Sequence, residues 1–147
     1  MKFMGSKSRI AKYIVPIIQK QIDDNNIKTY IEPFCGGCNI IDKVKCDNKI
    51  ALDLNPYLIA LLKEVKNGNT LLSEVPRELY NKAREAYRSG NISGFKEWEI
   101  GCIGFLSSYN GRFFDGGYAK AGWENTKNGR RWRDYYQESK ANILMYI

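Results

Sequence analysis

A glycine-rich segment followed by an acid carries the residues most suited to chemistry. The run Glu32-Pro-Phe-Cys-Gly-Gly-Cys-Asn39 follows one short apolar stretch, and Asp53 ends the next. Glycine has no Cβ, so backbone can approach a ligand closely. In doubly wound α/β folds, an acid about twenty residues after such a turn accepts hydrogen bonds from ribose hydroxyls. The spacing predicts a nucleotide-type cofactor site, and the alternative is that the glycines simply form a turn.

The elements around these residues follow a β-α-β-α order. Apolar spacing predicts a first helix over residues 8–22, with Ser6 or Ser8 as its cap and Pro16 in its interior. Strands are predicted over residues 30–34 and 49–53, with a short helix over 39–44 between them. Pro56 opens a further helix that Gly68 ends. Strands joined in this way pair in parallel.

The second half of the chain has a different character. Helices are predicted over residues 71–89 and 93–108, separated by Gly90-Asn91. Residues 109–129 are rich in glycine and lack periodicity, and residues 130–147 are predicted to be helical. We therefore expect one small sheet followed by a mainly helical region.

The chain is basic, with a formal net charge of +7 among 147 residues. Such a charge suits a polyanionic partner, because Lys and Arg neutralise phosphates. The cations cluster in the glycine-rich stretch and its flank, among aromatic residues that offer surfaces for base stacking. We predict nucleic-acid contacts from Arg112, Lys120, Lys127, Arg130, Arg131 and Arg133. The alternative is a solvated loop whose aromatic residues, Phe113, Phe114, Tyr118, Trp123 and Trp132, fold back on the core.

The cysteines and the hydropathy pattern indicate which cellular compartment and which metal or redox sites to expect. Four cysteines, Cys35, Cys38, Cys46 and Cys102, are too few and too scattered for a disulfide scaffold. The spacing of Cys35 and Cys38 is that of a zinc half-site or a redox dithiol, but the chain has no histidine and no second such pair. Small residues lining a turn are the preferred interpretation, and we expect no metal. Without a membrane-spanning run or a signal peptide, the protein is expected in the cytoplasm.

Several blocks together resemble the adenine-specific DNA methyltransferases of the Dam-like class, which use S-adenosylmethionine. Phe3-Met-Gly-Ser-Lys-Ser-Arg9 is similar to the family's amino-terminal aromatic-x-Gly-x-Lys block. Residues 30–39 resemble its E-P-F-x-G-G-x-S/N block, and Asp53-Leu-Asn-Pro56 resembles its D-x-N-P block. Residues 104–118 resemble the segment that precedes the catalytic motif. An oxidoreductase explains the glycine turn but leaves the first and third blocks unexplained.

The resemblance implies an α/β fold, namely a partial Rossmann-like methyltransferase fold with a mainly helical, DNA-contacting second half. Residues 1–68 would form the cofactor-binding portion and residues 69–147 a helical insertion that recognises DNA. By similarity, the turn at Cys35 lies beneath the methionine part of S-adenosylmethionine, Asp53 holds the ribose hydroxyls, and Glu32 orients the turn. Asn55 either anchors the loop after the acid or caps the next helix, and Lys7 lies near the cofactor and the extruded base or is a surface lysine. The implied cofactor-binding residues are Lys7, Glu32, Phe34, Cys35, Gly36, Gly37, Asp53 and Asn55.

One departure limits what the resemblance implies for activity. The family's catalytic motif is Asp-Pro-Pro-Tyr or a close variant, and the four prolines here, Pro16, Pro33, Pro56 and Pro76, include no adjacent pair. We expect the chain to be the front part of a longer enzyme of restriction-modification type, with no catalytic residue of its own and no activity alone. A naturally short protein is the alternative, as is a non-catalytic nucleic-acid-binding remnant. Incomplete sheets would leave exposed strand edges, so self-association is also expected.

Overall fold

The computed structural model describes residues 3–145 and divides the chain into two compact units. The first unit runs over Phe3–Asn55, and the second begins at Pro56. Helix α2, Pro56–Lys66, therefore belongs to the second unit, although the sequence division at residue 68 groups it with the two strands. In the described part of the chain, no helix is both long and apolar enough to span a bilayer.

The first unit holds a short parallel sheet and one long helix. A 3-10 turn, Lys7–Arg9, leads into α1, Ala11–Asp24, which continues through Pro16. Strands β1, Thr29–Glu32, and β2, Asn48–Ala51, pair in parallel, as predicted. Ser6 accepts a hydrogen bond from the Ser8 amide at 3.2 Å, so it caps the 3-10 turn and not α1.

The core of this unit lies between α1 and the segment that joins the strands. Ala11 and Ile22 of α1 are buried together with Ile40 and Val44, and partly buried side chains extend this cluster at Ile14, Val15, Ile18, Tyr30 and Cys46. The inward-facing residues of α1 recur every three or four positions, the helical period that its sequence predicted. Packing of this face fixes the segment that follows the glycine turn.

The helix predicted over residues 39–44 is wrong, since this segment forms a series of turns. Ile41 lies at its centre, and distant side chains occupy both of its backbone groups. The Ile41 amide donates to Glu32 Oε2 at 2.9 Å, and the Ile41 carbonyl accepts from Lys49 Nζ at 3.0 Å. Cys38 also adopts a positive φ of 58°, which regular α-helix does not allow. These contacts compete with the hydrogen bonds of a helix.

The second unit is built around a buried helix. Helix α4, Glu97–Leu106, is enclosed from Ile100 to its end and packs against α2 and against α3, Arg77–Ser89. A Cβ at Gly101 would lie 2.1 Å from the Tyr57 carbonyl oxygen of α2. Close approach of α2 and α4 therefore requires glycine at this position.

Both predicted helices of this region start later than their patterns indicated. Residues 71–76, which precede α3, are not helical. Pro76 disfavours helix in the residue before it, and carbonyls of this segment accept hydrogen bonds from side chains of α5, Tyr135–Leu144. The Leu72 carbonyl accepts from Tyr136 Oη at 2.6 Å and from Lys140 Nζ at 2.8 Å. Gly90, with a φ of 72°, ends α3 as predicted.

A β-hairpin replaces the amino-terminal part of the helix predicted over residues 130–147. Strands β3, Gly122–Thr126, and β4, Gly129–Arg133, pair antiparallel across a two-residue turn. The Thr126 hydroxyl donates to the Gly129 carbonyl at 2.8 Å, and Gly129 has a φ of 115°, which favours glycine. Helix α5 then starts after Asp134, whose carboxylate accepts from the Gln137 amide at 3.0 Å. Residues 146 and 147 of the predicted helix lie outside the described residues.

Candidate functional site

A small pocket lies where the two parallel strands end. Its cavity volume is about 160 Å³, and seven of the eight residues predicted from sequence line it: Lys7, Glu32, Phe34, Cys35, Gly36, Gly37 and Asp53. Asn55, the eighth, does not line the pocket but lies beside Asp53 in the following loop. Five lining residues were not among the predicted ones, namely Phe3, Gly5, Ser6, Asn39 and Ile40. In the sequence these five residues stand close to Lys7 or to Cys38, and this proximity was the signal that could have identified them.

Asp53 ties the glycine turn to the end of β2. Its Oδ2 accepts from the Gly36 amide at 2.9 Å and its Oδ1 from the Asn55 amide at 3.1 Å. The Cys35 amide donates to the Leu52 carbonyl at 2.9 Å, so the turn and the strand end are joined twice. A carboxylate offers about four acceptor positions, and each oxygen of Asp53 therefore keeps capacity for a further donor such as a hydroxyl.

Glu32 and Lys7 hold the segments that flank the turn. Glu32 is 6% exposed, and it fixes the segment after the turn through the Ile41 amide. Lys7 Nζ donates to the Phe34 carbonyl at 2.9 Å and lies 3.6 Å from Glu32 Oε1. The Lys7 side chain, 40% exposed, therefore lines the pocket and contacts residues at the end of β1.

The amino-terminal block lies directly on the glycine turn. A Cβ built on Gly36 would be 3.0 Å from the ring of Phe3, and Gly36 itself has a φ of 48°. Asn39 Nδ2 donates to Ser6 Oγ at 3.0 Å. Gly36 and Gly37 are buried, whereas the Phe34 side chain is 74% exposed. The Phe3 ring thus packs against the glycine turn at Gly36.

A larger hollow, of about 910 Å³, also belongs to the first unit but fits this chemistry less well. It is a shallow surface lined by the carboxyl end of α1, the residues just after it, and most of residues 42–49, which include several lysines and aspartates. Lys43 pairs with Asp42 at 2.7 Å there. The hollow has neither a glycine turn nor an acid bonded to one, so the smaller pocket is the candidate site. Among the described residues, no cluster of three or more metal-binding side chains occurs.

The basic residues of the second unit fall into separate settings. Arg131 and Arg133 lie on one face of the hairpin, where Glu124 accepts from Arg131 Nε at 2.7 Å and from Arg133 Nη1 at 3.2 Å. Arg133 also donates to Glu138 at 2.8 Å. These ion pairs partly neutralise both arginines, and hydrogen bonds from Arg131 hold the pKa of the Glu124 carboxyl below its usual range. The structure thus gives these two arginines partners within the protein.

The opposite hairpin face is aromatic and open. Trp123 and Trp132 are a cross-strand pair in edge-to-face contact, 62% and 57% exposed. Arg130 shares this face, with its guanidinium 5.8 Å from the centre of the Trp123 ring. Lys127 occupies the exposed turn, and the exposed Arg112 and Lys120 lie outside the hairpin. Phe113 and Phe114, in contrast, pack into the aromatic core of the unit with Tyr87.

Comparison of the sequence with known proteins identifies the family of this chain. The family model for D12 class N6 adenine-specific DNA methyltransferases matches residues 3–110, which include the whole pocket. The chain belongs to this family. The hairpin lies beyond the matched residues, so the family match gives no support to its role.

Two curated relatives are methyltransferases that resemble part of the chain. The Type II methyltransferase M.FokI of Planomicrobium okeanokoites is 29% identical over 97 residues, which is 65% of this chain and 14% of that protein. The Type II methyltransferase M.MjaIII of Methanocaldococcus jannaschii is 35% identical over 78 residues, 50% of this chain and 27% of that protein. The matched region thus spans about a quarter or less of either relative. No solved structure gives a significant match.

Proposed function

We propose that the first unit binds S-adenosylmethionine and that the chain is the amino-terminal portion of an adenine-specific DNA methyltransferase. The observation that carries the proposal is the link between Asp53 and the glycine turn through the Gly36 amide. A turn that exposes backbone to a ligand and an acid that accepts from ribose hydroxyls must lie side by side to bind one nucleoside-type cofactor. The parallel pairing of β1 and β2 is consistent with the first two strands of a Rossmann-like fold.

The proposed roles follow from the contacts. Asp53 accepts from the ribose hydroxyls with its remaining acceptor capacity, and the backbone at Cys35, Gly36 and Gly37 lies beneath the methionine part. Glu32 positions the turn, while Lys7 holds the carbonyl of Phe34, whose exposed ring can cover the ligand. Asn55 anchors the loop after the acid. A pocket of about 160 Å³ encloses only one end of such a cofactor, since complete small-molecule sites occupy roughly 300–1,000 Å³.

Methyl transfer from a sulfonium is an in-line displacement in which the enzyme chiefly positions the reactants. The adenine amine is the nucleophile, and the base has to leave the duplex to reach the methyl group. The family's Asp-Pro-Pro-Tyr motif, which receives that amine, does not occur among the 147 residues. We therefore propose that this chain contributes cofactor and DNA contacts. A non-catalytic, nucleic-acid-binding remnant of such an enzyme is the second candidate, and the exposed tryptophans and Arg130 of the hairpin are the observation that it also accounts for.

Cofactor binding separates these candidates and can be measured by titration calorimetry with S-adenosylmethionine. Asp53→Ala removes the acceptor for the ribose and for the Gly36 amide, and hydrogen bonds to charged groups contribute about 1.5–3 kcal/mol each. We expect the affinity to fall by roughly 30-fold or more. Asp47→Ala is the matched control, because Asp47 forms only an exposed pair with Lys28 at 3.5 Å. A wild-type chain that folds and does not bind would favour the remnant.

We further propose that the open hairpin face and the neighbouring cations contact DNA. On the hairpin itself, Arg130 and Lys127 carry the contacts, because no carboxylate pairs with them in the described structure, whereas Arg131 and Arg133 mainly stabilise the hairpin through Glu124. Arg112 and Lys120 add exposed charge, and the tryptophan pair offers rings for base stacking.

Salt-dependent binding to duplex DNA tests this interface. Replacing both Lys127 and Arg130 with alanine should weaken binding and reduce the slope of log affinity against log salt by about 2, roughly one per lost phosphate contact. Lys28→Ala with Lys45→Ala removes the same charge from the first unit and should leave the slope nearer its wild-type value. Equal losses in the two double variants would mean that only the net charge matters.

A further inference from the structure

Two thiols bracket the glycine turn of the candidate site. Cys35 and Cys38 flank Gly36-Gly37, and the Cys38 amide donates to the Cys35 carbonyl at 2.8 Å, so the turn is closed at its base. The thiol of Cys35 lies within the same turn, with Sγ 3.8 Å from the Gly36 carbonyl oxygen. All four cysteines are reduced in the structure. One closed turn thus carries two thiols, and the first of them, Cys35, lines the pocket.

The other cysteines have different partners. Cys46 Sγ lies 3.5 Å from the Ile27 carbonyl, and Cys102 Sγ lies 3.4 Å from Tyr136 Oη. Burial raises the pKa of the Cys102 thiol to about 11, which leaves it largely protonated at neutral pH. Within the described residues, neither Cys46 nor Cys102 shares a hydrogen-bonded turn with a second cysteine, whereas Cys35 and Cys38 close one turn between them.

The shared turn gives the two thiols different acidities. Hydrogen bonding by Cys38 lowers the pKa of Cys35, although burial and the charges of Asp53 and Glu32 oppose this effect. Donating that bond, together with burial, raises the pKa of Cys38. A thiolate is the nucleophilic form of cysteine. Cys35 is 2% exposed, which admits only a small oxidant, while Cys38 is partly exposed.

We propose that Cys35 and Cys38 form an oxidisable dithiol whose disulfide locks the glycine turn and weakens cofactor binding. The oxidant is a hydroperoxide, with hydrogen peroxide as the simplest case. The Cys35 thiolate attacks one oxygen, the O–O bond breaks, and Cys35 becomes a sulfenic acid as the other oxygen leaves as water. The Cys38 sulfur then attacks the Cys35 sulfur, a second water leaves, and the disulfide forms. In sum, two thiols lose two electrons and two protons, and one peroxide is reduced to two waters.

Locking follows from how tightly the pocket is closed. Its volume of about 160 Å³ is smaller than a complete cofactor site, Gly36 and Gly37 are buried, and the Phe3 ring lies against Gly36. Cofactor entry therefore requires the turn and the Phe3 ring to separate. A disulfide holds its two Cα atoms within roughly 4.4–6.8 Å of each other, which removes the freedom that two glycines otherwise give the turn. This step rests on the proposed function, because it assumes that S-adenosylmethionine is the ligand.

Peptide mapping of the full chain tests the disulfide itself. After mild treatment with hydrogen peroxide and alkylation, we expect one peptide that contains both Cys35 and Cys38, lighter by two hydrogen atoms and unalkylated. Dithiothreitol should restore both thiols. Cys46→Ser, the matched control, should still form the linked peptide, and Cys38→Ser should not. Recovery of Cys35 and Cys38 as unlinked residues, alkylated or further oxidised, would overturn the inference.

Titration of the reduced and oxidised wild-type chain with S-adenosylmethionine tests the lock. The oxidised chain should bind at least about tenfold more weakly, with affinity restored by dithiothreitol. Equal affinities with a mapped disulfide would overturn the lock and leave the proposed function intact. Absence of binding by the reduced chain would refute the proposed function, and with it the effect of the disulfide on a cofactor.

Discussion

Replacing Gly36 with alanine tests whether the backbone conformation of the turn is needed for binding. Gly36 has a φ of 48°, and an alanine Cβ would lie 3.0 and 3.3 Å from atoms of the Phe3 ring. An L-residue in the left-handed region costs about 1–2 kcal/mol. Phe3 must also move by a few tenths of an ångström. We expect the free energy of unfolding to fall by roughly 1–2 kcal/mol, measured by urea denaturation.

The same substitution should affect cofactor affinity more than stability alone explains. If the chain relieves the strain by changing φ, the Gly36 amide turns away from Asp53 and a charge-assisted hydrogen bond is lost. Such a bond contributes about 1.5–3 kcal/mol. If cofactor binding has to re-form the bond, the affinity falls by roughly 10- to 150-fold. Titration calorimetry with S-adenosylmethionine measures this loss.

Gly68→Ala is the matched control for that experiment. Gly68 has a φ of 70°, and an alanine Cβ there would have nothing within 4 Å, so the substitution has the same backbone cost without a contact at the pocket. It should destabilise the chain to a similar extent and leave affinity unchanged. Equal affinities of the Gly36→Ala variant and the wild type would refute the role assigned to the turn.

Three further outcomes are expected. Gly101→Ala should lower the free energy of unfolding by at least about 2 kcal/mol, because Tyr57 and the alanine Cβ cannot share the 2.1 Å between them, whereas Gly94→Ala, with open space around it, should have little effect in the same urea titration. Ile50→Lys should reduce any self-association seen by sedimentation, since Ile50 is 44% exposed on the small sheet; unchanged association would exclude that surface. The 147-residue chain should not methylate adenine in DNA in a tritium-transfer assay, because it lacks the Asp-Pro-Pro-Tyr motif, and measurable transfer would contradict that expectation.

Local signals made the two strands of the first unit and the carboxyl end of α3 predictable. Apolar runs and glycines act over a few residues, which is why the parallel strands and the end of α3 at Gly90 were found correctly. The turns at 39–44 could not be predicted in this way, because Glu32 and Lys49 reach Ile41 from other parts of the chain. Tertiary contacts of this kind override local propensity.

The hairpin had a sequence signal that the helical interpretation missed. Asn128-Gly129, where the two-residue turn meets β4, is a dipeptide typical of turns. Trp123 and Asn125 of β3 and their partners Trp132 and Arg130 of β4 occupy alternate positions, which is the period of a strand. This period predicts that Arg130 lies on one face of the hairpin and that Arg131 and Arg133 lie on the other. The ion pairs of Glu124 with Arg131 and Arg133 still required the register of the two strands, which the sequence alone does not specify.

The most direct test of the cofactor site is an amide NMR titration of the chain with S-adenosylmethionine. The backbone amides of Gly36 and Asn55 donate to the two oxygens of Asp53, so they report on any hydroxyl that joins that carboxylate. We expect saturable shifts centred on these two amides and on Cys35. Shifts centred instead on the hollow around Lys43 and Asp47, or no saturable shifts from a folded chain, would contradict the proposed site.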